Sequence, residues 1–148
     1  MHNMAKKTSM KLTKADRELL RVKFGGRCAY CGDPLGETWH ADHFRPVKRI
    51  IQYVSGKGAV TTSECYHTAR HCLDNMMPAC PPCNIDKHSM DIEDWRRKLQ
   101  DATNVLERNS PTYRHAKRFK LLHETGVSVT FYFEAQKPDT YIDNKSHG

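Results

Sequence analysis

The stretch Asn75-Met-Met-Pro-Ala-Cys80-Pro-Pro-Cys83-Asn84-Ile-Asp-Lys87-His88 decides how this chain is read. Two cysteines stand two residues apart, an asparagine follows the second, and Lys87 and His88 come where the first turns of a helix are expected. A matching pair, Cys28-Ala-Tyr-Cys31, lies upstream. A Cys-x-x-Cys turn aims both sulfurs at one point, and two such turns complete a tetrahedral set of four thiolates that suits Zn²⁺. Gly32 after the first pair and Pro81-Pro82 inside the second supply turn-forming neighbours. The competing reading, redox-active dithiols or disulfides, expects a single motif at a helix start beside a parallel-sheet pattern. No such pattern is evident. Cys65 and Cys72 lack the spacing and read as buried or free thiols.

Composition frames that staple. Of 148 residues, 38% are apolar and 28% charged, so a large single core is not expected, and small domains of this kind rely on a metal or disulfide staple. The net charge is +7, and it is uneven: residues 1–50 carry 11 basic and 5 acidic residues, whereas residues 51–90 carry 3 of each. A basic first third points to a polyanionic partner, because counterion release rewards Lys and Arg on phosphate; a merely soluble basic surface is the plainer alternative. Neither an apolar signal segment nor an 18-residue apolar run is visible, which predicts no membrane partner and a reducing, cytoplasmic setting where cysteines serve as ligands or free thiols.

Along the chain, residues 1–11 read as a flexible basic arm, 12–135 as a single domain with its core over 28–90, and 136–148 as a loose tail. Thr13 with Asp16 resembles a capping box for a helix over Lys14–Phe24, stopped by Gly25-Gly26. Thr38–Phe44 has strand composition, limited by Pro46. Residues 50–62 admit a strand, a Ser55-Gly-Lys-Gly58 turn and a return strand, and Glu64–His71 admits a helical turn or an irregular loop. Ile92, Trp95, Leu99, Ala102 and Leu106 recur at helical spacing. Ser110-Pro111 opens a further helix running to His123, and Val127–Glu134 alternates like a half-buried strand.

Inside the cysteine loop sits Asp42-His43-Phe-Arg-Pro46, with Arg45, Lys48 and Arg49 around it. Asn84 and His88 are four apart, so on a helix they share a face. An Asp oxygen, an Asn oxygen and a His nitrogen make a reasonable open site for a divalent cation, leaving positions for water and phosphate. His43 then remains for proton transfer.

Taken together, Cys28-x-x-Cys31, Asp42-His43 before Pro46, Asn75, and Cys80-x-x-Cys83-Asn84 with His88 resemble the HNH endonucleases, over about residues 12–90. The resemblance implies an α+β chain with a ββα-metal (His-Me finger) core and a four-cysteine zinc site, flanked by an N-terminal helix and by C-terminal helices plus a strand. It implies hydrolysis of DNA phosphodiester bonds, by nicking or cleavage, with His43 as general base and Asn75 holding the loop that orients it. Asp42 and Asn84, with His88 as a possible third ligand, would hold Mg²⁺ or Mn²⁺; a His88 ligand would widen tolerance to Ni²⁺, Co²⁺ or Zn²⁺. Arg45, Lys48, Arg49 and Lys87 would contact nucleic acid. The closing region resembles small HNH proteins of phage type, which implies a prokaryotic or phage-infected cell, a monomer or weak dimer, and a specificity-giving protein partner as an option. The stretch between His43 and Asn75 exceeds that of compact members, so residues 50–72 read as an insertion. Non-catalytic zinc modules, binding nucleic acid or protein, explain the cysteines but leave Asp42-His43, Asn75 and Asn84 without a task.

Overall fold

Thr13 sets the first helix. In the computed structural model, which describes residues 11–136, the Thr13 hydroxyl accepts from the Asp16 N–H at 3.1 Å and the Asp16 carboxylate accepts from the Thr13 N–H at 2.9 Å. This reciprocal box opens α1, Lys14–Val22, which buries Leu20. The helix stops two residues short of the expected Phe24, because Lys23 and Phe24 already belong to the turn through Gly25 (φ 63°) and Gly26 (φ 76°). The arm and the tail expected at the two ends lie outside the described residues, save Lys11 and Gln136.

The described residues form a mixed α+β chain with two small antiparallel sheets and six α-helices. The first sheet pairs β1, His40–His43, with a strand from far downstream, Met76–Ala79, in the register His40↔Ala79 to His43↔Met76. Between them the chain makes a hairpin, β2 (Arg49–Val54) and β3 (Gly58–Cys65), so the downstream strand is β4. Of the readings open for residues 50–62, the hairpin is the one adopted. Two 3₁₀ turns, Thr68–Arg70 and Leu73–Asn75, return the chain to β4. Cys80 then caps α2, Pro81–Lys87, with prolines in the first turn where a missing N–H costs nothing.

Three expectations for the C-terminal half need correction. The helical stripe from Ile92 to Leu106 is two helices, α3 (Ile92–Gln100) and α4 (Ala102–Asn109), divided at Asp101. Asp101 has φ −85° and ψ −1°, off the helical ψ, although its N–H still bonds Arg97 O and its carbonyl accepts from Val105 N–H; its carboxylate accepts from the Asn104 side chain at 2.8 Å. Leu106, read as inward, is consequently exposed. The next helix, α5 (Pro111–Arg118), begins at Ser110 as expected but ends five residues before His123. The strand expected over Val127–Glu134 is an extended segment followed by a single helical turn, α6 (Tyr132–Ala135). Its alternation holds from Val129 onward, since Phe131 is buried and Val129 and Phe133 pack against the core, whereas Val127 is exposed. What it lacks is a neighbouring strand. Side chains satisfy its backbone instead: Gln100 donates to Val127 O and accepts from Val129 N–H, and Arg96 donates to Val129 O.

The core lies where this segment returns to the first cysteine turn. Tyr132 and Phe133 donate backbone N–H bonds to Tyr30 O (2.9 Å) and Ala29 O (2.8 Å). The Tyr30 ring packs edge-on against Trp95, Phe131 and Phe133, and Phe131 stacks on Trp95 and on Phe133, with centroids 5.1 to 6.4 Å apart. The closest approach is at Gly32. Its φ is 81°, and a Cβ there would stand 2.7 Å from Cδ2 of Tyr132. Gly32→Ala therefore combines backbone strain with a clash between the knuckle and α6. It is expected to lower stability by about 1–3 kcal/mol, read as a reduced midpoint in chemical denaturation.

Candidate metal centre and the His43 cluster

The two cysteine turns meet. The Sγ atoms of Cys28, Cys31, Cys80 and Cys83 all lie within 4.8 Å of one another, and Cys31 and Cys80 are 3.8 Å apart. Four sulfurs at about 2.3 Å from a tetrahedral zinc are separated by about 3.8 Å, so the donor set and its spacing fit a structural Zn²⁺ site. The first turn is fixed by Cys28 N–H to Asp33 O (2.8 Å) and Gly32 N–H to Cys28 O (3.0 Å), and Ala29 N–H to Pro78 O ties it to β4. The crowding is visible in the acidities. A hydrogen bond from Cys83 pulls the Cys28 thiol down to about 4, and burial pushes Cys31 up to about 12. Four thiols this close ionise at one another's expense, and a dication relieves that conflict.

Beside the cluster runs a buried polar core. Lys87, the last residue of α2, is wholly buried and its ammonium lies 2.9 Å from Asp42 Oδ2 on β1. The same ammonium donates to the His43 carbonyl at 2.9 Å, and the Tyr30 hydroxyl donates to Asp42 Oδ2 at 2.5 Å. Burial first, then the Asp42 charge, pushes the Tyr30 phenol far up, so Tyr30 stays a donor. The expectation that Lys87 contacts nucleic acid is thereby corrected: its ammonium is buried and spent on Asp42 and the His43 carbonyl. Its place three residues after Asn84 puts it on the face of α2 turned to β1, where an unpaired carboxylate would otherwise be buried.

His43 ends β1 and faces a second histidine. Its Nε2 lies 3.0 Å from Nδ1 of His71, and His71 Nε2 lies 3.3 Å from Sγ of the buried Cys65. Burial, with His71 next, pushes His43 below the ordinary imidazole value, against the opposing pull of Asp42. Asn75 fixes the backbone beside both histidines. Its side chain accepts from Arg45 N–H and donates to Arg45 O and Arg70 O, each at 2.9 Å, and its carbonyl accepts from Phe44 N–H at 2.8 Å.

The remaining residues singled out in the sequence are less concentrated. Asn84 is half-buried on α2. His88 is exposed, hydrogen-bonds Ser89 Oγ, and caps the helix at φ 49°, so it closes the helix and does not extend the Asn84 face. Arg45, Lys48 and Arg49 are exposed. Three participants escaped the sequence reading. Tyr30 was visible only as the filler of a Cys-x-x-Cys turn. His71 and Cys65 carry no spacing signal, because only closure of the hairpin brings them to His43. Comparison of the chain with protein-family models, with curated proteins and with solved structures finds no match.

Removing one member of a buried ion pair strands the other. Lys87→Met is accordingly expected to cost roughly 3–5 kcal/mol, seen as a lower thermal midpoint. Adding Asp42→Asn to that variant should recover part of the loss, because it removes the stranded charge; a double variant no more stable than Lys87→Met would refute the pairing.

Proposed function

We propose that the chain is an HNH-type, metal-dependent endonuclease that hydrolyses DNA phosphodiester bonds, with β1, β4 and α2 as its ββα-metal core. The observation that carries the reading is the Asn75 clamp. One side chain ties the residues that follow His43 and the residue that precedes His71, so the two imidazoles are held together at the end of β1. A half-buried asparagine spending its whole amide on two loop ends supports a site whose geometry matters, over a histidine that is merely solvated.

In this reading His43 is the general base. With His43 donating Nε2–H to His71 Nδ1, and His71 donating Nε2–H toward Cys65 Sγ, Nδ1 of His43 carries the free lone pair. Its lowered pKa keeps the ring neutral at neutral pH, with that lone pair open to a proton. A water proton passes to Nδ1 as the water oxygen bonds to phosphorus and the P–O3′ bond breaks. The leaving oxygen takes its proton from solvent. His71 then steadies the imidazolium through the same bond, which makes it a positioning residue.

Asp42 and Asn84 fit a hard divalent cation by donor type. Both bonds to Asp42 fall on Oδ2, leaving Oδ1, and Asn84 lies on the helix that Lys87 ties to β1. Bound Mg²⁺ or Mn²⁺ would supply positive charge to the phosphate and the departing oxygen. His88 is left out of the ligand set, since it turns to Ser89. One observation favours a non-catalytic zinc module that binds nucleic acid: Lys87 already balances the Asp42 charge.

Conversion of supercoiled plasmid to open circles in Mg²⁺ or Mn²⁺ separates the two. The nuclease reading expects nicking that His43→Ala slows by about 10²–10⁴-fold with zinc content unchanged. His71→Ala should lower kcat with little change in KM, and His71→Asn, which restores an acceptor, should recover part of it. Binding of the plasmid without any nicking would leave the module reading in place.

A further inference from the structure

The hairpin β2–β3 hangs from the candidate site and stands clear of the protein. Every residue from Ile51 to Thr61 is exposed, with Tyr53 at 87% and Ile51 at 60%. Only the root is anchored: Cys65 is buried, and Tyr66 and His67 donate backbone bonds to Lys48 O and Val47 O. A two-stranded ribbon of this kind is marginal unless it packs on something. We propose that the ribbon is a docking element for duplex DNA, seated in a groove of the substrate. The proposal rests on the reading of the chain as a DNA-acting enzyme and names the element that holds the substrate.

Charge selects the occupant. Residues 45–72 contain Arg45, Lys48, Arg49, Lys57 and Arg70 against Glu64 alone. Arg49 stands at the root and Lys57 at the turn, so the ribbon is basic at both ends. In the register Ile51↔Thr61 and Tyr53↔Ala59, one face presents Ile51, Tyr53, Ala59 and Thr61, a mixture of apolar and hydroxyl groups suited to base edges and sugars. The other face, with Gln52↔Val60 and Val54↔Gly58, carries no charge either. The cations thus flank the readable surface, as phosphates flank a groove. A strand of six residues spans about 20 Å, and a groove about 12 Å wide admits a two-stranded ribbon. The register shift between Arg49 and Ile51 disfavours pairing of the ribbon's edge with a second copy. Position adds to this. The root residue Cys65 touches His71, and His71 touches His43, so a duplex lying on the ribbon passes beside the proposed base.

The test is fluorescence anisotropy of a 30-base-pair duplex with the full chain, without added divalent metal, against the double variant Tyr53→Ala/Lys57→Glu. Both side chains are exposed, so zinc content and circular dichroism should not change. The expected result is at least tenfold weaker duplex binding and a shallower dependence of affinity on salt, by about one phosphate contact. Unchanged duplex affinity would overturn the proposal. So would a wild-type preference for single strands that the variant loses, or a wild-type dimer that the variant converts to monomer while duplex affinity stays the same. Plasmid nicking by the same proteins keeps the two readings apart. Ribbon-dependent binding by a wild-type chain that never nicks would remove the nuclease reading alone. Nicking with ribbon-independent binding would remove only the ribbon.

Discussion

Four thiols converging on one point are the constraint from which the rest of this fold follows. Cys28 and Cys31 come from a turn after α1, Cys80 and Cys83 from the start of α2, and the 48 residues between Cys31 and Cys80 are closed into a loop by their meeting. Loop closure costs entropy that grows slowly with length, and a chain with few apolar residues has little burial to offset it. With the two cysteine turns drawn together, β1 and β4 lie alongside and α2 is aimed at β1. Tyr30, sitting inside the first turn, then reaches both the aromatic core and Asp42. The four-cysteine cluster and the polar core are therefore one construction.

Lys87 is the piece of that construction with the most to lose. A fully buried ammonium survives because it meets a carboxylate and a carbonyl together, with the Tyr30 ring 5.9 Å away. It fixes the end of β1 from the helix side, while Asn75 fixes the chain beyond His43 from the loop side. His43 thus stands between two independent anchors. The hairpin roots beyond these anchors, through the Tyr66 and His67 bonds to Lys48 O and Val47 O, and its root residue Cys65 touches His71.

What the sequence made legible was local chemistry. The capping box at Thr13, the spacing within each cysteine pair, the Ser110-Pro111 helix start and a short strand at His40–His43 are all set by neighbours a few residues apart. Pairings decided at long range were not legible. His71 and Cys65 carry no pattern, and Lys87 reads as a surface cation until β1 is laid against α2. The alternation over Val127–Glu134 marked Val129, Phe131 and Phe133 as inward but also Val127, which is exposed, and it could not reveal that Gln100 and Arg96, not another strand, would meet the backbone. The break at Asp101 belongs to the same class: the apolar period and the backbone bonds to Arg97 O and from Val105 N–H run through it, and a single residue at ψ −1° divides the helices without a mark in the pattern.

The fold depends on the four thiolates holding one ion. X-ray absorption at the zinc edge, on the purified chain, addresses this directly. Four sulfur scatterers at about 2.3 Å, at one zinc per chain, is the result the fold requires. A first shell with nitrogen or oxygen ligands, or a metal-free chain that retains its native fold, would contradict it.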